Sequence, residues 1–185
     1  MTEPIRIRQV VAADLPEIQS IYAHYVRRST ATFELTPPDV EALRERMRDV
    51  LSFSGAYLVA EQEGDVLGYA YGGRYRGREA YLHTVENSVY LRPEATGRGV
   101  GKMLLLDLVD RCRESGFAEM VAVIGGGDEN RASIRLHESL GFRHAGKLER
   151  VGFKFGRWLD TCLMQISLQE LGGRSRPGSV LALHR

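Results

Sequence analysis

The chain has 185 residues, 43% apolar and 26% charged, which suits one compact domain with a substantial core and excludes a disordered polymer or a fibrous repeat. Twenty-five basic against 24 acidic residues leave a formal charge of +1, no broad footprint for a nucleic-acid backbone or an anionic bilayer, so neither is expected as a partner. The opening MTEPIRIRQV lacks the apolar core of a signal peptide, and two cysteines, Cys112 and Cys162, are too few for a disulfide scaffold or a zinc cluster; a cytoplasmic protein with reduced core thiols and no metal is expected.

Residues 5 to 8 read as a short strand. Asp14-Leu-Pro-Glu17 then has the spacing of a capping box with proline in the first turn, and Leu15, Ile18, Tyr22 and Tyr25 follow at helical intervals. Thr36-Pro-Pro-Asp39 opens a second helix, on which Val40, Leu43, Met47 and Val50 share a face. Two runs, Ala56 to Glu61 and Val66 to Tyr71, flank Glu63-Gly-Asp65 as an antiparallel hairpin, and a long strand is predicted from Tyr81 to Leu91. A glycine-rich turn leads into a helix from about Val100 to Ser115, with Leu104, Leu105, Leu108 and Cys112 on its apolar face. Met120 to Ile124 is a continuous apolar strand suited to burial on both faces, and Asn130 to Leu140 is a helix stopped by Gly141. Two last strands run to about Leu168. Residues 1 to 170 thus read as one domain, and 171 to 185, rich in glycine and serine without periodicity, as a loose tail.

The segment from Arg92 to Lys102, RPEATGRGVGK, joins a strand to a helix, a geometry that turns unpaired backbone N–H groups toward an anion above the helix start. It is not a dinucleotide fingerprint, because Lys102 stands where the third glycine belongs. It is not a Walker A loop either, because Thr96 replaces the first glycine and Met103 follows the lysine. On the loop alone, phosphate binding and a tight turn that merely permits close packing both remain open.

A strand followed by (Gln/Arg)-x-x-Gly-x-Gly and a long helix resembles the pyrophosphate loop of the GNAT N-acetyltransferase superfamily, although Thr96 stands where Gln or Arg is usual. NRASIRLHESLGF, from Asn130 to Phe142, resembles that superfamily's later helix. More closely, HTVENSVYLRPEATGRGVG, AVIGGGDENRASIRLHESLGF, GFKFGRWLDT and RRSTATFELTP resemble the phosphinothricin and methionine sulfoximine acetyltransferase branch, over roughly residues 5 to 168. The resemblance implies an α/β (α+β) fold: a mixed, twisted sheet of about seven strands, splayed at its centre and flanked by about four helices. It also implies acetyl-coenzyme A in the splay and a homodimer. The chemistry implied is transfer of an acetyl group to the primary amine of a small amino-acid-like molecule. A detoxification role and a metabolic one are both left open.

Carried over by position, the resemblance places Val89, Tyr90 and Leu91 along the acetyl-pantetheine arm, Gly97, Arg98, Gly99, Val100, Gly101 and Lys102 at the pyrophosphate, and Asn130 and Ser139 farther along the arm. It assigns Glu86 as general base, since an amino-acid amine is mostly ammonium at neutral pH and must lose a proton before it attacks. Glu86 shares a face with Thr84 and Ser88 if the strand is regular; a bulge, common here in the superfamily, changes that parity and aims the Val89 N–H at the thioester oxygen. His137 stands where many members carry a tyrosine near the sulfur and is the expected proton donor to the departing thiolate, with a purely structural histidine as the alternative. Arg76 and Arg78, from a cluster with Arg74, are the expected partners for substrate anions, unless the loop is simply solvated, and Phe33, His83 and Thr84 are further pocket candidates. Lys154, Phe155 and Trp158 fall where this branch builds its dimer contact. Two other functions stay open, a protein or peptide N-acetyltransferase and a noncatalytic acyl-coenzyme A sensor.

Overall fold

In the computed structural model, residues 3 to 169 are described, and they form seven strands and four α-helices; the expected tail at 171 to 185 lies outside them. In chain order these are β1 (Arg6–Gln9), α1 (Leu15–Arg28), α2 (Val40–Phe53), β2 (Tyr57–Gln62), β3 (Asp65–Arg74), β4 (Thr84–Leu91), α3 (Val100–Glu114), β5 (Glu119–Gly125), α4 (Arg131–Glu138), β6 (Arg143–Lys154) and β7 (Arg157–Ser167). The sheet order is β1-β2-β3-β4-β5-β7-β6. Every neighbouring pair is antiparallel except β4 and β5, so the sheet is mixed, as expected.

The β2–β3 turn has positive φ at Glu63 and Gly64, 54° and 88°, the two-residue reversal that matches strand twist. Asp39 caps α2, its carboxylate accepting from the Ala42 N–H at 2.8 Å. The apolar face of α3 is fully buried: Leu104, Leu105, Leu108 and Cys112 are all 0% exposed, each leucine contributing roughly 2 kcal/mol by burial. They pack with Val85, Met120 and Met164 on one side of the sheet, while α1 and α2 cover the other with Ile18, Tyr22, Leu43 and Met47.

Four expectations need correction. Asp14 and Glu17 form no capping box: Asp14 accepts from the Arg8 guanidinium and the Val11 N–H, each at 2.8 Å, and Glu17 accepts from the Val66 N–H and pairs with Arg92. Tertiary ion pairs outcompete the local cap. β4 starts at Thr84, because Glu79–Tyr81 is a 3-10 turn. α4 stops at Glu138, short of Leu140. β5 is not buried on both faces, since Val123 is 39% exposed where the sheet opens.

That opening positions the site. The β4–β5 ladder runs only from Thr84 opposite Glu119 to Asn87 opposite Ala122, although both strands continue. Past those residues the two parallel strands part.

Candidate active site

The gap between the parted strands is a cleft of about 370 Å³, lined from one side by Ser88 to Leu91 and from the other by Ala122 to Ile124. β4 pairs with β3 in unbroken register from Val85 to Leu91, so of the two alternatives the regular strand is found and not the bulge. Thr84, Glu86, Ser88 and Tyr90 therefore face the α1 and α2 side, and Val85, Asn87, Val89 and Leu91 the α3 and α4 side. Backbone groups alternate too. The Arg92 N–H donates to the Leu67 carbonyl of β3 at 2.8 Å, so two-residue alternation turns the N–H and C=O of Val89 and Leu91 toward the cleft. The Leu91 carbonyl takes the Tyr25 hydroxyl at 2.9 Å, while the Val89 amide, beyond the end of the β4–β5 ladder, has no partner among the described residues and is left for a guest.

The cleft ends at the start of α3. Gly97 and Gly99 have φ of 74° and 82°, a left-handed backbone that side chains resist, and Gly99 caps the helix without a side-chain bond. Gly97, Gly99, Gly101 and Lys102 line the cleft there, leaving first-turn N–H groups for an anion. Gly101 also packs tightly, since a Cβ there would lie 3.4 Å from both Leu136 and Leu91. Thr96 lines the wall but spends its hydroxyl on the Pro93 carbonyl at 2.7 Å. Asn130 lies at the far wall, its Nδ2 reaching the Gly125 carbonyl at 3.4 Å.

Three of the named cofactor residues put no side chain into the cleft, although Arg98 and Val100 belong to the glycine turn and helix start that close it. Arg98 donates to the Gln62 side chain at 2.7 Å, Val100 is wholly buried beneath the helix start, and Ser139 is exposed with its hydroxyl on the Leu136 carbonyl at 2.8 Å. The cleft gains Tyr25, Ala31, Asn87, Ala132, Ser133 and Leu136, which sequence reasoning missed. Ser133 and Leu136 were findable, being three and six residues beyond Asn130 on one helical face. Asn87 carried no local signal.

Glu86 lies across β4 from the cleft. Burial pushes its carboxyl up to about 7 from an ordinary 4.5, and the Arg76 guanidinium pulls in the opposite direction. Gly73, directly opposite in β3 on the same face, adds no side chain beside the carboxylate. Arg76 lies 5.1 Å from the Tyr75 ring centre and 5.9 Å from that of Tyr81, whereas Arg74 stacks over Phe53 at 4.3 Å, away from this group. Arg78 is exposed at the start of the 3-10 turn before β4. Thr84 shares the Glu86 face, and the buried Nδ1 of His83 has no hydrogen-bond partner among the described residues. Phe33 packs against backbone made bare by glycine: a Cβ on Gly125 would come within 3.1 Å of its ring, and one on Gly152 would collide with it. Lys154 is 3% exposed and donates to the Ser29 and Thr32 carbonyls at 2.8 and 2.7 Å, fastening the loop that carries Phe33.

His137 lines the cleft at 3% exposure. Its Nδ1 lies 2.7 Å from the Ser133 carbonyl and its Nε2 2.9 Å from Asn87 Oδ1, so both nitrogens face acceptors. Burial lowers its proton affinity while the Ser133 carbonyl raises it, with burial the larger effect. Among the described residues no group of three His, Cys, Asp or Glu could hold a metal ion, and no helix is long and apolar enough to cross a membrane.

Residues 18 to 142 match the model of the acetyltransferase (GNAT) family. The chain is 51% identical over 159 residues to a phosphinothricin N-acetyltransferase of Alcaligenes faecalis, covering 86% of this chain and 80% of that one. It is 43% identical over 164 residues to an L-methionine sulfoximine/L-methionine sulfone acetyltransferase of Pseudomonas paraeruginosa, covering 88% and 94%. Its fold superposes with a TM-score of 0.88 on a phosphinothricin acetyltransferase of Sinorhizobium meliloti in complex with acetyl-coenzyme A, at 44% identity and 96% coverage of both chains. A split parallel pair, a glycine-started helix and these three relatives agree: the chain belongs to the GNAT family of acetyltransferases.

Proposed function

We propose that the protein transfers the acetyl group of acetyl-coenzyme A directly to the primary amine of a small amino-acid-like molecule of the methionine sulfoximine, methionine sulfone or phosphinothricin type. The observation that carries this reading is Glu86, a half-buried carboxyl with a proton affinity near neutrality, one residue before the point where the sheet opens. A base of that strength holds a useful deprotonated fraction at pH 7 and can still accept a proton from an ammonium. The relatives' named substrates supply the amino-acid class, and Arg76 and Arg78 supply cations for its carboxylate and second polar group.

In this mechanism Glu86 takes a proton from the bound ammonium, directly or through a water. The amine nitrogen then bonds to the thioester carbon, whose oxygen takes the Val89 N–H as its charge grows. As the carbon–sulfur bond breaks, the nitrogen gives up its second proton to water and the thiolate takes one from His137 in its imidazolium form, which the Ser133 carbonyl favours and burial opposes, leaving the ring neutral. Val89 and Leu91 hold the pantetheine arm, the first turn of α3 with Lys102 holds the pyrophosphate, and Asn130 bounds the far wall. Thr84, His83 and Phe33 border the amine.

The test is release of free thiol by the purified protein with acetyl-coenzyme A across a panel of such amines. Glu86→Gln is expected to lower turnover by about two orders of magnitude with little change in cofactor affinity. Absence of thiol release on every member of the panel, or wild-type turnover in Glu86→Gln at neutral pH, sinks the proposal. Turnover confined to peptides would move the protein to the protein-acetyltransferase reading, and tight cofactor binding without any turnover to the sensor reading.

A further inference from the structure

Asn87 stands at the apex of the cleft. It is the last residue of β4 paired with β5, and only 6% of it is exposed. Its carboxamide nitrogen donates to the Val121 carbonyl of β5 at 3.2 Å, and its oxygen lies 2.9 Å from Nε2 of His137 on α4. Chemistry fixes which end is which: the Val121 carbonyl can only accept, so the nitrogen faces it, and the oxygen then requires a donor from the ring. One side chain thus links β4, β5 and α4, three of the elements that bound the opening. Ladder hydrogen bonds join β4 to β5 up to this residue and stop there.

We infer that Asn87 is a positioning residue for acyl-coenzyme A: by tying β4 to β5 through Val121 and to α4 through His137, it fixes the width to which the sheet opens. The inference rests on the acyl-coenzyme A reading of the cleft. Val89 and Leu91 on β4 form one wall, and Ala122 to Ile124 of β5 with Ser133 and Leu136 on α4 the other, so the tie sets the distance between surfaces that hold the pantetheine arm. Glu86 points to the opposite face of β4. Loss of the tie should therefore act on cofactor binding before it acts on the base. Phe142, edge-on to His137 at 4.9 Å, packs the ring from its other side but offers no hydrogen bond that could replace Asn87.

Coenzyme A affinity, measured by calorimetry without turnover, and the acetyl-coenzyme A KM and kcat together test this. His137→Gln retains an N–H donor for Asn87 and is expected to keep affinity within about twofold, while Asn87→Leu and His137→Leu each weaken it about tenfold, because each strands a buried polar partner. The double variant is expected to be no weaker than either single one, the signature of one shared interaction. Unchanged affinity in both leucine variants, additive losses, or His137→Gln behaving like His137→Leu overturns the inference. Should the leucine variants fail to fold, Asn87→Ser, too short to reach both partners, is read in their place against the same expectation. A fall in kcat alone in His137→Gln reports on proton delivery to sulfur, so that role and the tie are judged separately. If wild-type protein binds no coenzyme A, the cofactor reading falls and takes the inference with it.

Discussion

Glu86 owes its proton affinity to two opposing effects, burial that favours the neutral acid and the Arg76 charge that favours the carboxylate, and burial is the larger. Since the working form of a base is the deprotonated one, kcat/KM should rise with pH through a limb near 7. Removing the opposing charge in Arg76→Ala raises the Glu86 value further, so that limb should shift to higher pH; a limb that stays in place would separate Arg76 from the carboxylate. Stability follows the same shift. Between the ordinary 4.5 and about 7 the folded state binds more protons at Glu86 than the unfolded chain does, so this residue's contribution to stability falls as pH rises through that window. Glu86→Gln removes the effect, and melting curves should show its Tm advantage over the wild type widening from pH 4 to pH 8. A constant difference would mean that Glu86 is not burdened by burial. Glu86 was legible in the sequence as a carboxylate beside the expected cofactor contacts, whereas its proton affinity was not, because burial comes from side chains far along the chain. Asn87 and His137 show the same limit, being 50 residues apart and joined only by folding.

Elements were read well where their signals are local. The apolar stripe of α3 and the turn at Glu63-Gly64 need only neighbours in sequence, and both appear as predicted, while the start expected at Thr36-Pro-Pro-Asp39 resolves into an Asp39 cap. The Asp14 cap failed because Arg8 competes for the same carboxylate, and Val123 escaped notice because an apolar run looks the same whether both faces are packed or one borders a cleft. The glycine turn makes a prediction at this scale. Gly99→Ala puts a side chain on φ +82°, which costs about 1 kcal/mol and roughly 2 to 4 °C in Tm, and it should also raise the acetyl-coenzyme A KM by twisting the first-turn amides. The β6 strand makes another. Gly152→Ala would drive a methyl into the Phe33 ring, displacing the loop that Lys154 fastens. The amine KM should rise about tenfold while the acetyl-coenzyme A KM stays within about twofold, since of this loop only Ala31 reaches the cofactor cleft. Equal effects on both would remove Phe33 from the amine site.

At the scale of the whole molecule, β6 and β7 form the end of the sheet opposite β1, with β6 as its edge. Leu148, Val151, Phe153, Phe155 and Trp158 are exposed there, 46% to 56% each, with Phe153 and Trp158 paired edge to face at 5.3 Å and Arg150 5.5 Å from the Trp158 ring. Apolar side chains gathered on a long open edge strand invite pairing, and soluble proteins ordinarily cover or charge such edges. The homodimer expected from the family resemblance would cover this edge with a second copy of the chain, and a twofold axis would let one patch serve both subunits. Light scattering on the wild type should then give twice the chain mass. Trp158→Asp places a charge at the middle of the patch without touching the buried core, so it should yield a folded monomer with an unchanged far-ultraviolet spectrum. The same hairpin carries Gly152 against Phe33 and Lys154 against the Ser29–Thr32 loop, so separating the subunits should also raise the amine KM more than the acetyl-coenzyme A KM. A wild type of single-chain mass, or a monomeric variant with wild-type kinetics for both substrates, would confine the amine site to one chain.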